Sequence, residues 1–365
     1  MADDAWARRI AAMRNSDRLL SGMRPATVRE KLAELAAGVP DDLMPDFYGD
    51  GPVEQLEERV AALLGAEAAV FFPTGTMAQQ VALRYGAEVT GRTAVALHPL
   101  GHQEVHEHRA YADLTGLRAV HPTTAPRNPT AAELMTLAEP VGTVVFELPM
   151  RDAGFVLPTW PELSDACTAA RGLGARVHFD GARMWESTPY LNRGLPEIAG
   201  LADSTYVSFY KSLGGLSGAA LTGTTAFAAY ARNWRHRYGG HLFQQWPAAL
   251  TALAGLERVL PRIPDFVRQA RVVADAFAEL PGAQVFPRPP HTNQFRVWLP
   301  FPAARLNEGV LAMADEEKVW FTGGWQDTAV PGQAMAEVTV LAPALEWTAR
   351  DVIEIGLRLL DRIQG

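Results

Sequence analysis

RVHFDGARMW (residues 176–185) and STYVSFYKSLGGLSGAALTG (residues 204–223) are the stretches that decide the fold of this chain. Each opens with a β-rich run. The first run ends at Asp180 and the second just before Lys211, and glycine follows in both cases. Two such strands bring an acid and an amine to the carboxyl edge of one sheet, where ligands bind in open α/β folds. A lysine able to form a Schiff base, with an aspartate for a pyridinium nitrogen, is what pyridoxal phosphate requires.

Each of these residues also has a purely structural interpretation. Lys211 could be an exposed lysine at a strand end, and Asp180 could close an Asp-Gly turn with Arg183 on the surface. The glycines after Lys211 favour the ligand-binding interpretation, because they allow the backbone to approach a planar ligand closely. Ser208, three residues before the lysine, could bind a phosphate or could be an ordinary strand serine.

A second candidate element is Pro73-Thr74-Gly75-Thr76, which lies between a predicted strand and a predicted helix. The first amides of a helix are unpaired and its dipole is positive there, so a phosphate binds readily. Gly75 would let the backbone approach the phosphate and the Thr76 hydroxyl would donate to it. The alternative is that Thr74 is only the N-cap of the helix. The motif GxxxxGK[ST] of a Walker loop is absent.

Residues 98–108 are rich in histidine: His98, His102, His106 and His108. The first three have the i, i+4 spacing with which one helix face could bind zinc. Pro99 and Gly101 make a continuous helix there unfavourable, and the order HExxH is absent. We therefore expect no metal site and expect one of these rings to stack on a planar cofactor.

The order of the elements predicts an α/β body with an α+β tail. Up to about residue 223, short apolar strands alternate with helices, and continuous apolar runs such as 143–147 are typical of a parallel sheet covered on both faces. Helices dominate afterwards, with short strands near 295–299 and 337–341. We predict an N-terminal arm (1–45), a large α/β domain (46–255) and a small C-terminal α+β domain (256–365).

Periodicity and capping residues also predict individual elements. The predicted strands lie at 68–72, 93–97, 143–147, 176–180, 204–210 and 217–222 in the body. The predicted helices lie at 28–35, 53–64, 77–85, 129–137, 158–171, 225–235, 247–259, 264–280 and 348–363.

Composition excludes several classes of protein. The 365 residues include 33 basic and 41 acidic side chains, a net charge of −8, which argues against a nucleic-acid or anionic-membrane surface. One cysteine, Cys167, cannot form an intramolecular disulfide. The acidic start lacks an apolar signal region, and no run approaches the about 18 apolar residues of a membrane span. We expect a soluble cytoplasmic protein.

Five stretches, in order and at family-like spacing, together resemble the low-specificity threonine aldolase family, within the β-eliminating-lyase group of fold-type I pyridoxal-phosphate enzymes. They are MPDFYGDGPVEQLEE (44–58), AAVFFPTGTMAQQVALR (68–84), HFDGARMWES (178–187), SFYKSLGGLSGAALTG (208–223) and HTNQFRV (291–297). The resemblance implies the fold-type I architecture: a mostly parallel central sheet flanked by helices, with a smaller α+β C-terminal domain.

The resemblance also implies a role for each matching residue. Lys211 would be the Schiff-base lysine, Asp180 would pair with the pyridinium nitrogen, and Arg183 would lie near the ring oxygen. Gly75 and Thr76 would hold the phosphate, and His102 would stack on the ring. Tyr48 would lie near a subunit boundary, since the family forms homotetramers or homodimers that share active sites.

The sequence departs from the family pattern at four places, three of which concern the substrate and the last of which concerns an arginine that faces the phosphate. The N-terminal Arg-Ser-Asp-Thr motif is absent, and RNSDR at 14–18 replaces it poorly. The segment after the third core strand, ELPMRD at 147–152, lacks the family's second histidine. A C-terminal arginine is missing near Thr339, and the glycine-rich segment 238–244 lacks its arginine. Cofactor chemistry is therefore expected to be retained, and substrate recognition to be altered.

The sequence thus predicts a pyridoxal-phosphate-dependent lyase that acts on an amino acid, with Lys211, His102 and Asp180 as catalytic residues. Aldol cleavage of a β-hydroxy amino acid is the first choice, and the missing arginines argue against threonine itself as the substrate. Arg151 could replace one lost contact with the substrate carboxylate, because a hydrogen bond between charged groups is stronger than one between neutral groups. The alternatives are β-elimination or side-chain exchange, and a scaffold that only binds the cofactor.

Overall fold

The computed structural model describes residues 2–364. Contacts divide the chain into two compact units: Leu35–Pro261, and Met1–Glu34 together with Arg262–Gly365. We refer to them as the large and the small unit. The domain limits predicted from the sequence, at 45/46 and 255/256, are kept as a proposal.

The helices and strands are numbered in chain order. The helices are α1 (Ala2–Asn15), α2 (Val28–Ala37), α3 (Pro52–Leu64), α4 (Gly75–Thr90), α5 (His102–Val105), α6 (Ala110–Thr115), α7 (Ala131–Met135), α8 (Trp160–Gly172), α9 (Thr188–Leu191), α10 (Leu195–Ala199), α11 (Thr225–Arg237), α12 (Trp246–Arg258), α13 (Ile263–Ala278), α14 (Ala303–Glu317) and α15 (Ala349–Gln364). The strands are β1 (Arg18–Leu19), β2 (Ala68–Phe72), β3 (Ala94–Ala96), β4 (Arg118–Val120), β5 (Thr143–Glu147), β6 (Arg176–Gly181), β7 (Ser204–Ser208), β8 (Ala219–Gly223), β9 (Gln284–Phe286), β10 (Gln294–Leu299), β11 (Val319–Trp320), β12 (Gln326–Asp327) and β13 (Ala334–Thr339). Single 3₁₀ turns lie at Met184–Glu186, Leu260–Arg262 and Ala342–Glu346.

The large unit is built on a seven-stranded sheet in the order β2-β8-β7-β6-β5-β3-β4. All neighbours pair in parallel except β8, which runs antiparallel to both β2 and β7. β5 and β7 are buried along their whole length, as strands covered by helices on both faces should be. The predicted mostly parallel α/β sheet is confirmed.

The reversal of β8 fixes the loop that carries Lys211. No helix crosses over between β7 and β8, so the chain can only turn back, and that produces an antiparallel neighbour. The Phe209 amide donates to the Gly218 carbonyl (3.3 Å), and the Gly215 amide donates to the Phe209 carbonyl (2.9 Å). Gly214 has φ +76°, a left-handed conformation that favours glycine. The glycines after the lysine thus close a compact turn.

The small unit contains the antiparallel sheet β12-β13-β10-β9, with β1 and β11 forming a separate parallel pair. Helices α1 and α14 were not predicted from the sequence. Gly309 interrupts the helical pattern of α14, but the structure requires a small residue there: a Cβ would lie 2.7 Å from Ile363 and 2.8 Å from Leu359 of α15. Close helix packing, which the sequence pattern does not display, therefore explains the glycine.

Within the described residues 2–364, no helix has both the length and the apolar character that a membrane span needs.

Candidate active site

Three adjacent strands place side chains at the carboxyl edge of the sheet. Glu147 of β5 is in register with Asp180 of β6, which is in register with Tyr206 of β7. Asp180 is buried. Its Oδ2 accepts a hydrogen bond from Gln103 Nε2 (2.8 Å) and its Oδ1 accepts one from the Ala182 amide (3.3 Å). Two donors on two different elements therefore fix the orientation of this carboxylate.

Lys211 lies just beyond β7 at the same edge. Burial, and then the nearby Arg183 guanidinium, lower the pKa of Lys211 to about 8, while the carboxyls of Asp180, Glu147 and Glu186 act in the opposite direction. The lowered pKa makes the neutral fraction of this amine at pH 7 larger than that of an ordinary lysine, although the charged form still predominates. The neutral form is the one that can attack a carbonyl.

Lys211 is distinguished from the other lysines of the chain by its surroundings. The sequence contains only three lysines, and the other two, Lys31 and Lys318, have exposed side chains. Lys31 pairs with Glu34 on α2 (3.6 Å), and Lys318 Nζ donates to the Asp315 carbonyl (3.0 Å). Lys211, by contrast, lies near the buried carboxylate of Asp180.

His102 opens the one-turn helix α5 beside Asp180. Its Nδ1 lies 3.2 Å from Glu107 Oε1, and Gln80 Nε2 donates to the other oxygen of Glu107 (3.3 Å). Burial lowers the pKa of His102, but the hydrogen bond with Glu107 and the nearby Asp180 carboxylate together outweigh burial and raise it. The ring is therefore held by a buried acid on one side, with Asp180 and Lys211 near enough to influence its charge.

The start of α4 reaches the same edge. Thr74 is the N-cap, and its side chain accepts a hydrogen bond from the Met77 amide (3.3 Å). A Cβ at Gly75 would lie 2.3 Å from the hydroxyl oxygen of Tyr206, so glycine is needed where the helix meets β7. The free amides at this 16-residue helix are thus positioned close to the strand that precedes Lys211.

Arg183 and Ser208 complete the set of predicted residues. Arg183 lies over the Phe155 ring (5.6 Å) and is near enough to Lys211 to lower its pKa. Ser208 is buried, and its hydroxyl donates to the Ala182 carbonyl (2.8 Å), so its proton is already used within the fold. A contact of Ser208 with a phosphate stays a prediction.

The remaining predicted residues lie elsewhere in the large unit. His98 is outside α5: its Nε2 contacts the Ala125 carbonyl (2.7 Å) and its Nδ1 accepts from the Leu100 amide (2.9 Å). The expected break in the helix between His98 and His102 is therefore present. Tyr48 is exposed and has φ +57°. In the part of the chain that the structure describes, no group of three or more potential ligands could hold a metal ion.

Three acids and one amide around the site were not predicted from the sequence: Glu107, Glu147, Glu186 and Gln103. Burial, and then the Asp180 carboxylate, raise the pKa of Glu147 to about 7. Burial also raises the pKa of Glu186 to about 7, against the opposing influence of Ser212, Arg183 and Lys211. The only available signal was position, since each lies within five residues of a predicted site residue or at a predicted strand end.

Comparison with known proteins gives a consistent result. A family model described as β-eliminating lyase matches residues 26–300. A solved structure from Listeria monocytogenes, provisionally assigned as an L-allo-threonine aldolase, is 33% identical with a TM-score of 0.91 and covers 98% of this chain and 99% of that chain. One from Exiguobacterium sp. 255-15, provisionally assigned as an aromatic amino acid β-eliminating lyase/threonine aldolase, is 35% identical with a TM-score of 0.90 and covers 97% and 99%. The low specificity L-threonine aldolase of Escherichia coli K12 is 30% identical over 269 residues, 69% of this chain and 76% of its own length.

Proposed function

Because this chain belongs to the β-eliminating lyase family, we propose that it is a pyridoxal-phosphate-dependent lyase that cleaves the Cα–Cβ bond of a β-hydroxy amino acid. The observation that carries the proposal is the meeting of three groups at one sheet edge. They are the Lys211 amine, the buried Asp180 carboxylate and the free amides at the start of α4.

The donor set fits this cofactor. An amine whose pKa is lowered to about 8 suits an aldehyde carbon, a buried carboxylate suits a protonated ring nitrogen, and a helix start suits a phosphate. We assign these roles to Lys211, Asp180, and Gly75 with Thr76. When bound, pyridoxal phosphate supplies a sink for the electron pair that is left when a bond to Cα breaks.

The remaining roles belong to side chains that orient or cover the cofactor. We propose that the His102 ring stacks on it, that Arg183 lies beside its ring oxygen, and that Ser208 supports the phosphate end. Glu107 and Gln80 hold His102 in one orientation, and Gln103 joins α5 to Asp180. The stacking ring and the charge-bearing carboxylate are therefore fixed by one short helix.

Substrate recognition is the part of the site that we propose has diverged. A carboxylate without its arginine loses a charge-assisted and often bidentate contact. We therefore expect the holoprotein to release little glycine and acetaldehyde from L-threonine or L-allo-threonine. Coupling acetaldehyde to alcohol dehydrogenase and following NADH measures this directly. Rapid cleavage of either amino acid would show that other residues replace the missing arginines.

A panel of amino acids tests the type of reaction. A β-hydroxy amino acid that shifts the cofactor's visible band and releases glycine supports the aldol proposal. Release of ammonia and a 2-oxo acid would instead indicate β-elimination. If no amino acid perturbs the band, the chain acts as a scaffold that only binds the cofactor.

The partners we propose are an amino acid and further copies of this chain, in the cytoplasm. An aromatic patch on the large unit supports self-association; its exposed members are Phe47, Tyr48, Leu242 and Phe243. The Phe243 ring centroid lies 5.4 Å from those of both Phe47 and Tyr48. The Tyr48 amide donates to the Phe243 carbonyl (2.9 Å), which keeps the two segments of the patch together. Contiguous exposed apolar surface of this kind is typical of protein interfaces.

Introducing a charge into the aromatic patch tests self-association. We expect Phe243→Asp to lower the oligomeric mass in light scattering, because a buried unpaired carboxylate opposes the interface. Leu114→Asp is the matched control, since Leu114 is exposed to a similar degree on α6, outside the patch. A monomeric wild type would contradict the proposal, and so would a Phe243→Asp variant of unchanged mass.

A further inference from the structure

A second histidine lies next to His102 and is held by an acid from a different strand loop. His102 and His106 are four residues apart across the single turn of α5, and their ring centroids are 5.2 Å apart. His106 Nε2 lies 2.6 Å from Asp152 Oδ2. Arg151 Nη1 lies 3.5 Å from the same ring nitrogen. The His106–Asp152 pair therefore borders the residue that we assign to the cofactor face.

The pair is tied to the sheet edge by Glu147. One carboxyl oxygen of Glu147 accepts a hydrogen bond from the His102 amide (3.1 Å), and the other accepts one from the Arg151 amide (3.0 Å). Glu147 is the β5 residue in register with Asp180. The start of α5 and the loop after β5 are thus joined through a residue that itself lines the site. This arrangement fixes His106 and Asp152 relative to Asp180.

His106 differs from the buried His178 of the same unit because one of its ring nitrogens makes no hydrogen bond within the described part of the chain. Both ring nitrogens of His178 are used, by Gln79 Oε1 and Ser204 Oγ at 2.8 Å each. The His106 side chain is 36% exposed, and among residues 2–364 its Nδ1 makes no hydrogen bond. A neutral imidazole that donates Nε2–H to Asp152 presents Nδ1 as a proton acceptor. His106 is therefore accessible, oriented by an acid and able to take a proton.

We propose that His106, oriented by Asp152, moves the proton on the β-oxygen of the substrate. The inference rests on the proposed aldol cleavage and adds a residue to it. The β-hydroxyl proton passes to His106 Nδ1, the Cβ–O single bond becomes a carbonyl, and the Cα–Cβ bond breaks. Its electron pair remains on Cα, which is then protonated, so that an aldehyde and glycine leave. His102 also has one ring nitrogen held by an acid, but we assign its ring to the face of the cofactor, which leaves His106 for this step.

The experiment compares His106→Gln and Asp152→Asn with His108→Asn in the holoprotein. His108 is exposed and has φ +51°, a conformation that asparagine tolerates, so this control removes a nearby histidine without strain. The probe is the β-hydroxy amino acid that the wild type cleaves fastest among L-threonine, L-allo-threonine and L-threo-β-phenylserine. We expect kcat of His106→Gln to fall by about 10²–10⁴-fold, the range of a lost general base, and KM to change little. Asp152→Asn should lower kcat by less, and His108→Asn should match the wild type.

A second reaction separates this role from the proposed function. Exchange of the glycine α-proton with solvent deuterium, followed by NMR, uses the cofactor but involves no β-oxygen. We expect His106→Gln to retain this exchange and the visible band. A wild-type kcat in His106→Gln would overturn the role of His106 and leave the proposed aldol cleavage standing. If His106→Gln lost glycine exchange together with cleavage, His106 would have a structural role, and the inference would again be overturned. A wild type that exchanges glycine but cleaves no panel member would overturn both the aldol proposal and the role of His106.

Discussion

Lys211→Ala should leave a protein that folds but has no visible cofactor band and no measurable lyase activity. The alanine removes the amine that we propose binds the aldehyde carbon, and the two other lysines, Lys31 and Lys318, are exposed. We expect kcat to fall by about 10⁴-fold or more, the scale of losing the covalent member of a catalytic unit. Absorbance after dialysis against pyridoxal phosphate, together with the rate of the amino acid that the wild type cleaves fastest, measures both effects.

Lys31→Ala is the matched control for Lys211→Ala. Lys31 lies on the exposed face of α2, and its ion pair with Glu34 is of a kind that contributes little to stability. Borohydride reduction of the wild-type holoprotein should attach the cofactor to the peptide that contains residues 204–223. Attachment at Lys31 or Lys318, or a band that persists in Lys211→Ala, would contradict the assignment of Lys211.

The sheet was predictable because most of its strands are apolar and buried, the edge strand β2 included. Continuous apolar runs with turn residues at each end gave Ala68–Phe72 and Thr143–Glu147 with the bounds that the structure has. The meeting of Asp180 and Lys211 followed from topology, since β6 and β7 are consecutive in the chain and parallel in the sheet. Local sequence patterns and the order of the strands along the chain were therefore enough to predict the sheet and the proximity of Asp180 and Lys211.

Contacts between distant segments were not predictable in the same way. The sequence shows no relation between Gln103 and Asp180, or between His106 and Asp152, because each pair is joined only when α5 packs against the sheet. Spacing grouped His106 with His98, whereas the structure separates them at the start of α5. Helical periodicity indicates which residues share one face of a helix, but it does not indicate which element that face packs against.

The position of β2 illustrates the same limit. β2 pairs with β8, far along the chain, and the start of α4 is thereby placed against Tyr206 of β7. The sequence predicted a phosphate-binding helix start at Gly75 from local chemistry alone. Glycine is required at position 75 because the Tyr206 ring of β7 occupies the space that a Cβ would need. No local sequence pattern connects Gly75 with Tyr206.

Asp180→Asn should keep the cofactor on Lys211 and lose most of the catalysis. Asparagine has nearly the same shape and its amide oxygen can still accept from the Ala182 amide, but it carries no charge to stabilise a protonated ring nitrogen. We expect kcat to fall by about 10²–10³-fold, the cost of removing one preorganised electrostatic contact to developing charge. The visible band should remain, because Lys211 is unchanged.

Reconstitution with N-methyl pyridoxal phosphate distinguishes charge from structure in the Asp180→Asn variant. This analogue is permanently positive at the ring nitrogen, so it needs no carboxylate to keep that nitrogen charged, and it should restore much of the lost kcat. Asp203→Asn is the matched control: Asp203 accepts from the Val177 amide (2.7 Å) near the opposite end of β6, and its loss should affect stability and leave kcat unchanged. If the analogue fails to rescue Asp180→Asn, then Asp180 acts through Gln103 and the placement of α5, and the electrostatic role assigned to its carboxylate is wrong.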